Sequence, residues 1–473
     1  MVLRKNSKDG FLLTHRRKGE PMDAKKQLQK GLDYAKVGIR RGFLHIFMGS
    51  TLVNLVSAGA ALLLPNVLEP YQFGLLNVPD TLIGYLLLFN GLGMAGAFLR
   101  YCAIGDDPAE KKAYFLFGMR FGILADIVLT VAGGTLLFVL YHIGIYRAKS
   151  PSELKVEFAL LALLALTPIA KFLLDGFSNF FRGVYANKEY GRISVVYTVT
   201  AALLPLAFAY FLRIWGIVPG RYLAFAVAIS IGVLMLRRLP NFQVKAVILS
   251  RQDKIGMVKY GVNQMAASLF SQIMPLVETT IINYFILDNA RRGEFRIATL
   301  VPSMLQVLTL SVIVFVFPYF ARHYADGEWI WHKSRRLFLT LGVGMLILIP
   351  TGMLITPFLL QRFYPAYNHA ETIRIMCVFW AAYGVNAAFK ATTGNILAAI
   401  GEVKFNLVVT FFASVLQGVF CYLLVSHFAL DGAAWGLLIA YSAYSLAGIV
   451  YLRYYCRKLV HKRAACNAME DKS

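Results

Sequence analysis

Residues 186–198 read ANKEYGRISVVYT, and residues 398–410 read AAIGEVKFNLVVT. The second stretch begins 212 places after the first (398 − 186), far beyond the period of a short structural repeat. Position by position, Ala186 answers Ala398, Arg192 answers Lys404, Ser194 answers Asn406 and Thr198 answers Thr410. Both stretches open polar and turn apolar. A second correspondence joins Phe73 to Phe295 and Arg100 to Arg322, each 222 places apart (295 − 73; 322 − 100). Both members of each pair fall six apolar spans apart, so the copies run the same way through a bilayer. The pattern predicts a parallel duplication: two six-helix halves related by an axis along the membrane normal.

Composition supports the spans. Of 473 residues, 58% are hydrophobic and 15% charged, with mean hydropathy +0.60. Soluble domains carry about 25% charged residues, so this chain cannot clothe a water-facing surface. Apolar runs long enough to cross a bilayer are read at 42–64, 79–100, 113–141, 155–178, 193–213, 218–236, 261–286, 297–320, 336–359, 372–393, 404–426 and 432–454. The run 218–236 is the weakest, being short and interrupted by Gly232. The expected fold is an all-α polytopic membrane protein of about twelve transmembrane helices in two pseudo-symmetric six-helix lobes. Its expected parts are a basic segment 1–41, an N-lobe 42–236, an inter-lobe loop 237–260, a C-lobe 261–455 and a tail 456–473. Residues 1–41 lack the apolar core of a cleavable signal peptide, and Met22 opens a self-sufficient basic lead-in that is an alternative start.

The net charge of +23 is placed by topology. Lys and Arg crowd residues 16–41, the loop 237–254 and the tail from Arg457, whereas loops 65–78 and 427–431 carry almost none. The positive-inside rule then puts both termini in the cytoplasm, with anionic headgroups as partners of the basic clusters. Arg291, Arg292 and Arg296, in a segment read as an outer loop at 287–296, fit this scheme poorly. Five cysteines show no ligand spacing, and no metal site or cofactor is expected.

Charges inside spans are expensive and each needs a reason. Lys171 and Asp175 lie four apart and can pair along one helical face. Arg182 lies seven further on from Asp175, and Arg100, Arg322 and Lys390 lie near helix ends. These five cations read either as an anion site for a phosphate-bearing substrate or as side chains snorkelling to headgroups. Asp126 and Glu278 read either as sites for a coupling proton or sodium ion or as structural carboxyls, and Asp126 is the better coupling candidate because it is nearest the middle of its span. Asp175 is grouped with these carboxylates because it holds Lys171. His45 reads as a core histidine, and the glycines of NGLGMAGAFLR (90–100) as close helix packing. Pro168, Pro205, Pro275, Pro302, Pro318, Pro350 and Pro357 fall in spans and permit kinks. No GxxxxGK[ST] stretch supplies a nucleotide motor, and no TVGYG-like filter is present.

Three stretches carry a family resemblance. EPYQFGLLNVPDTLIGYLLLFNGLGMAGAFLRY (69–101) resembles the second-helix region of bacterial oligosaccharide-lipid flippases, the O-antigen and capsule transporter family. VETTIINYFILDNARRGEFRIATLVPS (277–303) is similar to their seventh-to-eighth helix stretch, and GNILAAIGEVKFN (394–406) to their tenth-to-eleventh connection. The family belongs to the multidrug/oligosaccharidyl-lipid/polysaccharide exporter (MOP) superfamily. Resemblance implies two lobes enclosing a cavity, and alternating-access export of an undecaprenyl-diphosphate-linked oligosaccharide for cell-surface polysaccharide synthesis. The implied partners are the lipid-linked glycan, membrane lipids and polysaccharide assembly proteins. The family's acidic position falls on Glu278, while Thr279 stands where a basic residue often follows. Two alternatives remain: a cation-coupled multidrug exporter of the same superfamily, and a membrane-bound scaffold or polymerase partner. A net positive cavity favours the flippase and a net negative one the drug exporter.

Overall fold

The computed structural model describes residues 56–470 apart from 58, 105–106 and 143–149. The basic segment 1–41, the start of the first span and His45 lie outside the described residues. Within them the chain is helical from end to end and contains no strand. After the end of α1 (56–67) come α2 (Pro70–Ile104), α3 (Pro108–His142), α4 (Pro151–Gly183), α5 (Asn187–Leu212) and α6 (Ile217–Arg238). The second half follows as α7 (Arg251–Phe285), α8 (289–322), α9 (Gly327–Phe363), α10 (Ala370–Ala399), α11 (403–428) and α12 (430–470). Each apolar run from 79–100 onward falls on one of these helices, and of the run 42–64 the described part lies on α1. Gly232 does not break α6; its bare backbone lets Ile193 and Phe177 approach.

Among the described residues seven helical stretches are long and apolar enough to cross a membrane. Two of them, Asn187–Arg238 and Lys404–His461, each contain a hairpin. The first turns at Arg213 (φ 54°, ψ −136°) and the second at Ala429 (φ 51°, ψ −129°), the same strained conformation in both. Beyond these turns the helices run back antiparallel: Tyr197 stacks on Phe225, and Tyr444 hydrogen-bonds Asn406.

Backbone marks fix the register of the duplication. Tyr185 (φ 60°) and Gly401 (φ 89°) precede α5 and α11 at an offset of 216 (401 − 185), and Arg213 and Ala429 keep that offset. A Cβ on Gly216 would strike the Phe208 carbonyl, and one on Gly432 the Leu424 carbonyl, again 216 apart. At the starts of α2, α3, α4, α8, α9 and α10 the offset is 219, as between Pro70 and Asn289. The expected superposition of Thr198 on Thr410 and of Arg100 on Arg322 is therefore corrected. The helices are equivalent, but both pairings are slipped, by four residues in the first and three in the second. Slips of three or four residues keep a side chain on the same helical face, one turn away, which is why the sequence echo survives them.

The halves meet along α2, which packs on both α7 and α8 of the second half. A Cβ on Gly74 would run into the Asn289 carbonyl, and a Cβ on Gly293 into the Pro70 carbonyl. Only glycine allows this backbone-on-backbone crossing. Around it one apolar cluster draws on both halves, including Leu76, Ile282, Phe295, Phe379 and Leu437. Toward the other end the core separates into one cluster around Phe98, Phe115 and Phe180 and another around Phe320, Ile330 and Leu452.

Candidate functional site

Inside the first half, α1, α2, α4, α5 and α6 surround a cavity of about 380 Å³. Its apolar wall includes Pro205 and Phe225, and its polar groups include Thr167, Lys171, Tyr197 and Arg221. Local breaks set these groups in place. α4 is interrupted at Ala165–Leu166 and restarts with Pro168 in its first turn, so Lys171 sits one turn into the new segment. Arg221 lies in the second turn of α6, just past the Arg213 hairpin. Among the described residues no carboxylate lines the cavity.

Each cation is held from behind. Lys171 Nζ lies 2.5 Å from Asp175 Oδ1, as the four-residue spacing predicts. Arg221 grips Asp80 of α2 with two nitrogens, Nη1–Oδ1 at 2.6 Å and Nη2–Oδ2 at 3.3 Å. The same Asp80 Oδ2 accepts from Arg296 of α8 at 3.0 Å, so two guanidiniums share one carboxylate. Arg296 also donates to the Phe73 carbonyl and lies over the Phe73 ring. One turn before it, Arg292 is fully buried and donates to Glu157 of α4 at 3.1 Å, itself 1% exposed. Two consecutive turns of α8 therefore reach carboxylates of the other half. The arginines that fitted an outer loop poorly belong to a helix, where Arg291 pairs with Glu371 and the other two cross the interface.

The remaining sequence-derived residues are dispersed. Lys390 ends a π-helical segment of α10, with Nζ 4.6 Å from the centre of the Tyr441 ring and 5.5 Å from that of Tyr444. It stands 219 places after Lys171 (390 − 171), the offset of the helix starts, so the two lysines occupy matching positions of the two halves. Arg182 is exposed at the end of α4, over Tyr190. Arg100 is exposed and lies over Tyr260 of α7, and Arg322 is exposed at the end of α8. None of these three lines the cavity.

The two buried carboxyls have different surroundings. α2 breaks at Asn90–Gly93, where Gly91, Leu92 and Gly93 all take positive φ. Asp126 Oδ1 accepts the Gly91 N–H at 2.7 Å and so satisfies a donor that the break releases. The predicted close packing of these glycines is present as well: Gly93 abuts the Gly261 carbonyl of α7. Glu278 Oε2 accepts from Gln417 of α11 at 2.9 Å. Glu278 Oε1 and Gln417 Oε1 are both buried and have no hydrogen-bond partner. No group of three or more His, Cys, Asp or Glu side chains able to hold a metal ion occurs among the described residues.

Sequence reasoning missed Asp80, Glu157, Arg221, Arg292 and Arg296. The rule that intramembrane charges need explaining could have found three of them, because Asp80, Glu157 and Arg221 fall inside the runs 79–100, 155–178 and 218–236.

The polysaccharide biosynthesis protein family matches residues 39–324, more than half of the sequence. The chain belongs to that family. A relative, an uncharacterized membrane protein of Methanocaldococcus jannaschii, is 23% identical over 419 residues, covering 84% of this chain and 80% of its own. Among solved structures, an inward-facing multidrug resistance MATE transporter of the MOP superfamily aligns with TM-score 0.67 and 16% identity, over 87% of this chain and 95% of that one. The lipid II flippase MurJ in an inward closed conformation aligns with TM-score 0.68 and 13% identity, over 87% of both chains. A MOP superfamily transporter of Pyrococcus furiosus, reported with a binding pocket of reversed polarity, aligns with TM-score 0.53 and 15% identity, over 87% of this chain and 93% of that one. Family and fold together describe a multi-pass membrane protein of the polysaccharide biosynthesis protein family, folded like the MATE transporter and the MurJ flippase.

Proposed function

We propose that the protein is a flippase for a diphosphate-linked glycan lipid, an undecaprenyl-diphosphate oligosaccharide used in O-antigen or capsule synthesis. In this reading it lies in the cytoplasmic membrane with both termini inside. The observation that carries it is the cavity's charge: Lys171 and Arg221 line it without a lining carboxylate. Behind them the sharing of Asp80 by two arginines leaves one positive charge in excess. A diphosphate needs such compensation when it leaves water, and Arg and Lys both supply it. The polyprenyl tail stays in lipid, so the cavity needs to enclose only the headgroup. A cationic drug would meet repulsion at the same place.

Coupling belongs to a buried carboxyl, because the chain carries no nucleotide-binding motif. Glu278 is the better-supported seat: two unpartnered oxygens, its own Oε1 and that of Gln417, can accept a proton or a sodium ion. Asp126 commits Oδ1 to the broken backbone of α2 and leaves only its own Oδ2 unpartnered, whereas two unpartnered oxygens meet at Glu278. Reconstituted protein tests the reading with two probes, a fluorescent diphosphate-linked glycan lipid and a lipophilic cationic dye. The expected result is flipping of the first, reduced at least tenfold in Lys171→Ala and Arg221→Ala at equal protein levels. Export of the dye, with the glycan lipid left in place, would transfer the protein to the multidrug class.

A further inference from the structure

At the end of the second half, the start of α9 and the last turns of α12 enclose a cavity of about 210 Å³. Trp331 and Val460 give it apolar walls; Arg453, Arg457 and His461, spaced four apart along α12, give it a basic face. Among the described residues Glu328 is the one carboxylate that lines it. The Arg453 guanidinium lies 5.7 Å from the centre of the Trp331 ring. Close approach of Gly327 to the Cys456 carbonyl holds the two helices together behind the cavity.

The other half shows what this groove accommodates. Trp331 corresponds to Lys112 (331 − 219) and Arg453 to Arg237 (453 − 216). There the chain turns after α6 and lays its own segment 240–244 into the groove. Lys112 Nζ donates to the carbonyls of Phe242 and Val244, both at 2.8 Å, and the Phe242 ring packs on Phe115 and Phe180. The first-half groove is thus occupied by a peptide with an apolar ring and an anchored polar backbone. In the second half α12 runs on to residue 470, and no described segment enters the groove.

We infer that the α9/α12 groove is a binding site for the phosphate headgroup of an anionic phospholipid. An aromatic ring beside two arginines, where apolar spans give way to a basic helix end, matches an amphiphile with a phosphate at the interface. Arg457 and Arg453 supply forked donors to the phosphodiester, and Trp331 and Val460 meet the glycerol and first methylenes. The site is remote from the Lys171 cavity and does not depend on the proposed substrate.

Native mass spectrometry of the full chain, released from membranes of mixed phosphatidylglycerol and phosphatidylcholine, tests this. Wild type should retain phosphatidylglycerol selectively, and Arg453→Gln/Arg457→Gln should lose roughly 30-fold in retention, about fivefold per arginine. Arg237→Gln, whose groove is filled by the chain itself, should retain lipid like wild type, which controls for general loss of basic charge. Inorganic phosphate separates the sources: a headgroup site keeps its lipid in millimolar phosphate, whereas release by phosphate would overturn the lipid assignment. Equal retention of both lipids, or equal losses in the Arg237 and Arg453/Arg457 variants, would also overturn it. If the double variant is poorly folded, Trp331→Ala replaces it, with selective loss again expected and unchanged retention counting against the site.

Discussion

Glu157→Ala is the sharpest probe of how the halves are held. In the structure Arg292 donates from Nε to the Ile286 carbonyl at 2.7 Å, from Nη1 to Asn289 at 2.9 Å and Glu157 at 3.1 Å, and from Nη2 to the Asn283 carbonyl at 2.8 Å. Both members of the ion pair are at most 1% exposed, so water cannot replace the lost carboxylate. Breaking a buried pair by removing one partner costs about 3–5 kcal/mol, because the other charge is left uncompensated. Glu157 belongs to the first half and Arg292 to the second, so the pair stabilises only arrangements in which this end is closed. Its loss should reduce the population of the closed arrangement by about 150–5,000-fold. Spin labels at Ser152 and Asn368 report on this end, and labels at Tyr185 and Tyr324 on the opposite one. Double electron–electron resonance should show longer separations at the first pair and shorter ones at the second. The neutral double variant Glu157→Gln/Arg292→Met should recover most of the wild-type distribution, since a neutral buried pair carries no stranded charge. Unchanged distances and an unchanged melting temperature in Glu157→Ala would refute the reasoning.

Gly74→Ala should loosen the same closure by forcing the Asn289 backbone away, at a cost of about 1–3 kcal/mol for overpacking; the same spin-label pairs and a thermal melt check it. Asp126→Asn keeps an oxygen for the Gly91 N–H and should transport like wild type, whereas Asp126→Leu orphans that donor and should lower stability by about 1–3 kcal/mol; transport and melting are measured together, and loss of transport in the Asn variant alone would return coupling to this residue. Glu278→Gln should abolish the dependence of flipping on an imposed proton or sodium gradient in vesicles, and a full wild-type gradient response would exclude Glu278 as the coupling group.

The spans were legible because apolar length and the turn signals between them depend on local composition alone. So was the duplication, but not its register. Thr198 and Thr410 share a helical face with their true equivalents, and a face repeats every turn; only backbone strain at Tyr185, Arg213, Gly401 and Ala429 fixes the count. Of the site, the sequence supplied Lys171 and its Asp175 partner, which lie within one helix. It did not supply Arg221, Asp80 and Arg296, which lie 141 and 216 residues apart and meet only through packing. The left-handed break in α2 and the π-helical segment before Lys390 were equally unreadable. Neither leaves a local residue signature that separates it from ordinary glycine or alanine packing.

The reciprocal crossing of Gly74 on Asn289 and Gly293 on Pro70 has the form of a twofold interface folded into one polypeptide. In a symmetric dimer every residue beside the axis faces a copy of itself, and two arginines placed there would repel. A single chain escapes that rule because its halves vary independently. Arg292 and Arg296 have Phe73 and Asn77 as their counterparts at the 219-residue offset, so one half donates charge while the other offers a ring and an amide. Joining the halves thus permits a one-sided clasp, with Arg292 and Arg296 on one half and Glu157 and Asp80 on the other, where two identical subunits would place the same arginines on both sides of the axis.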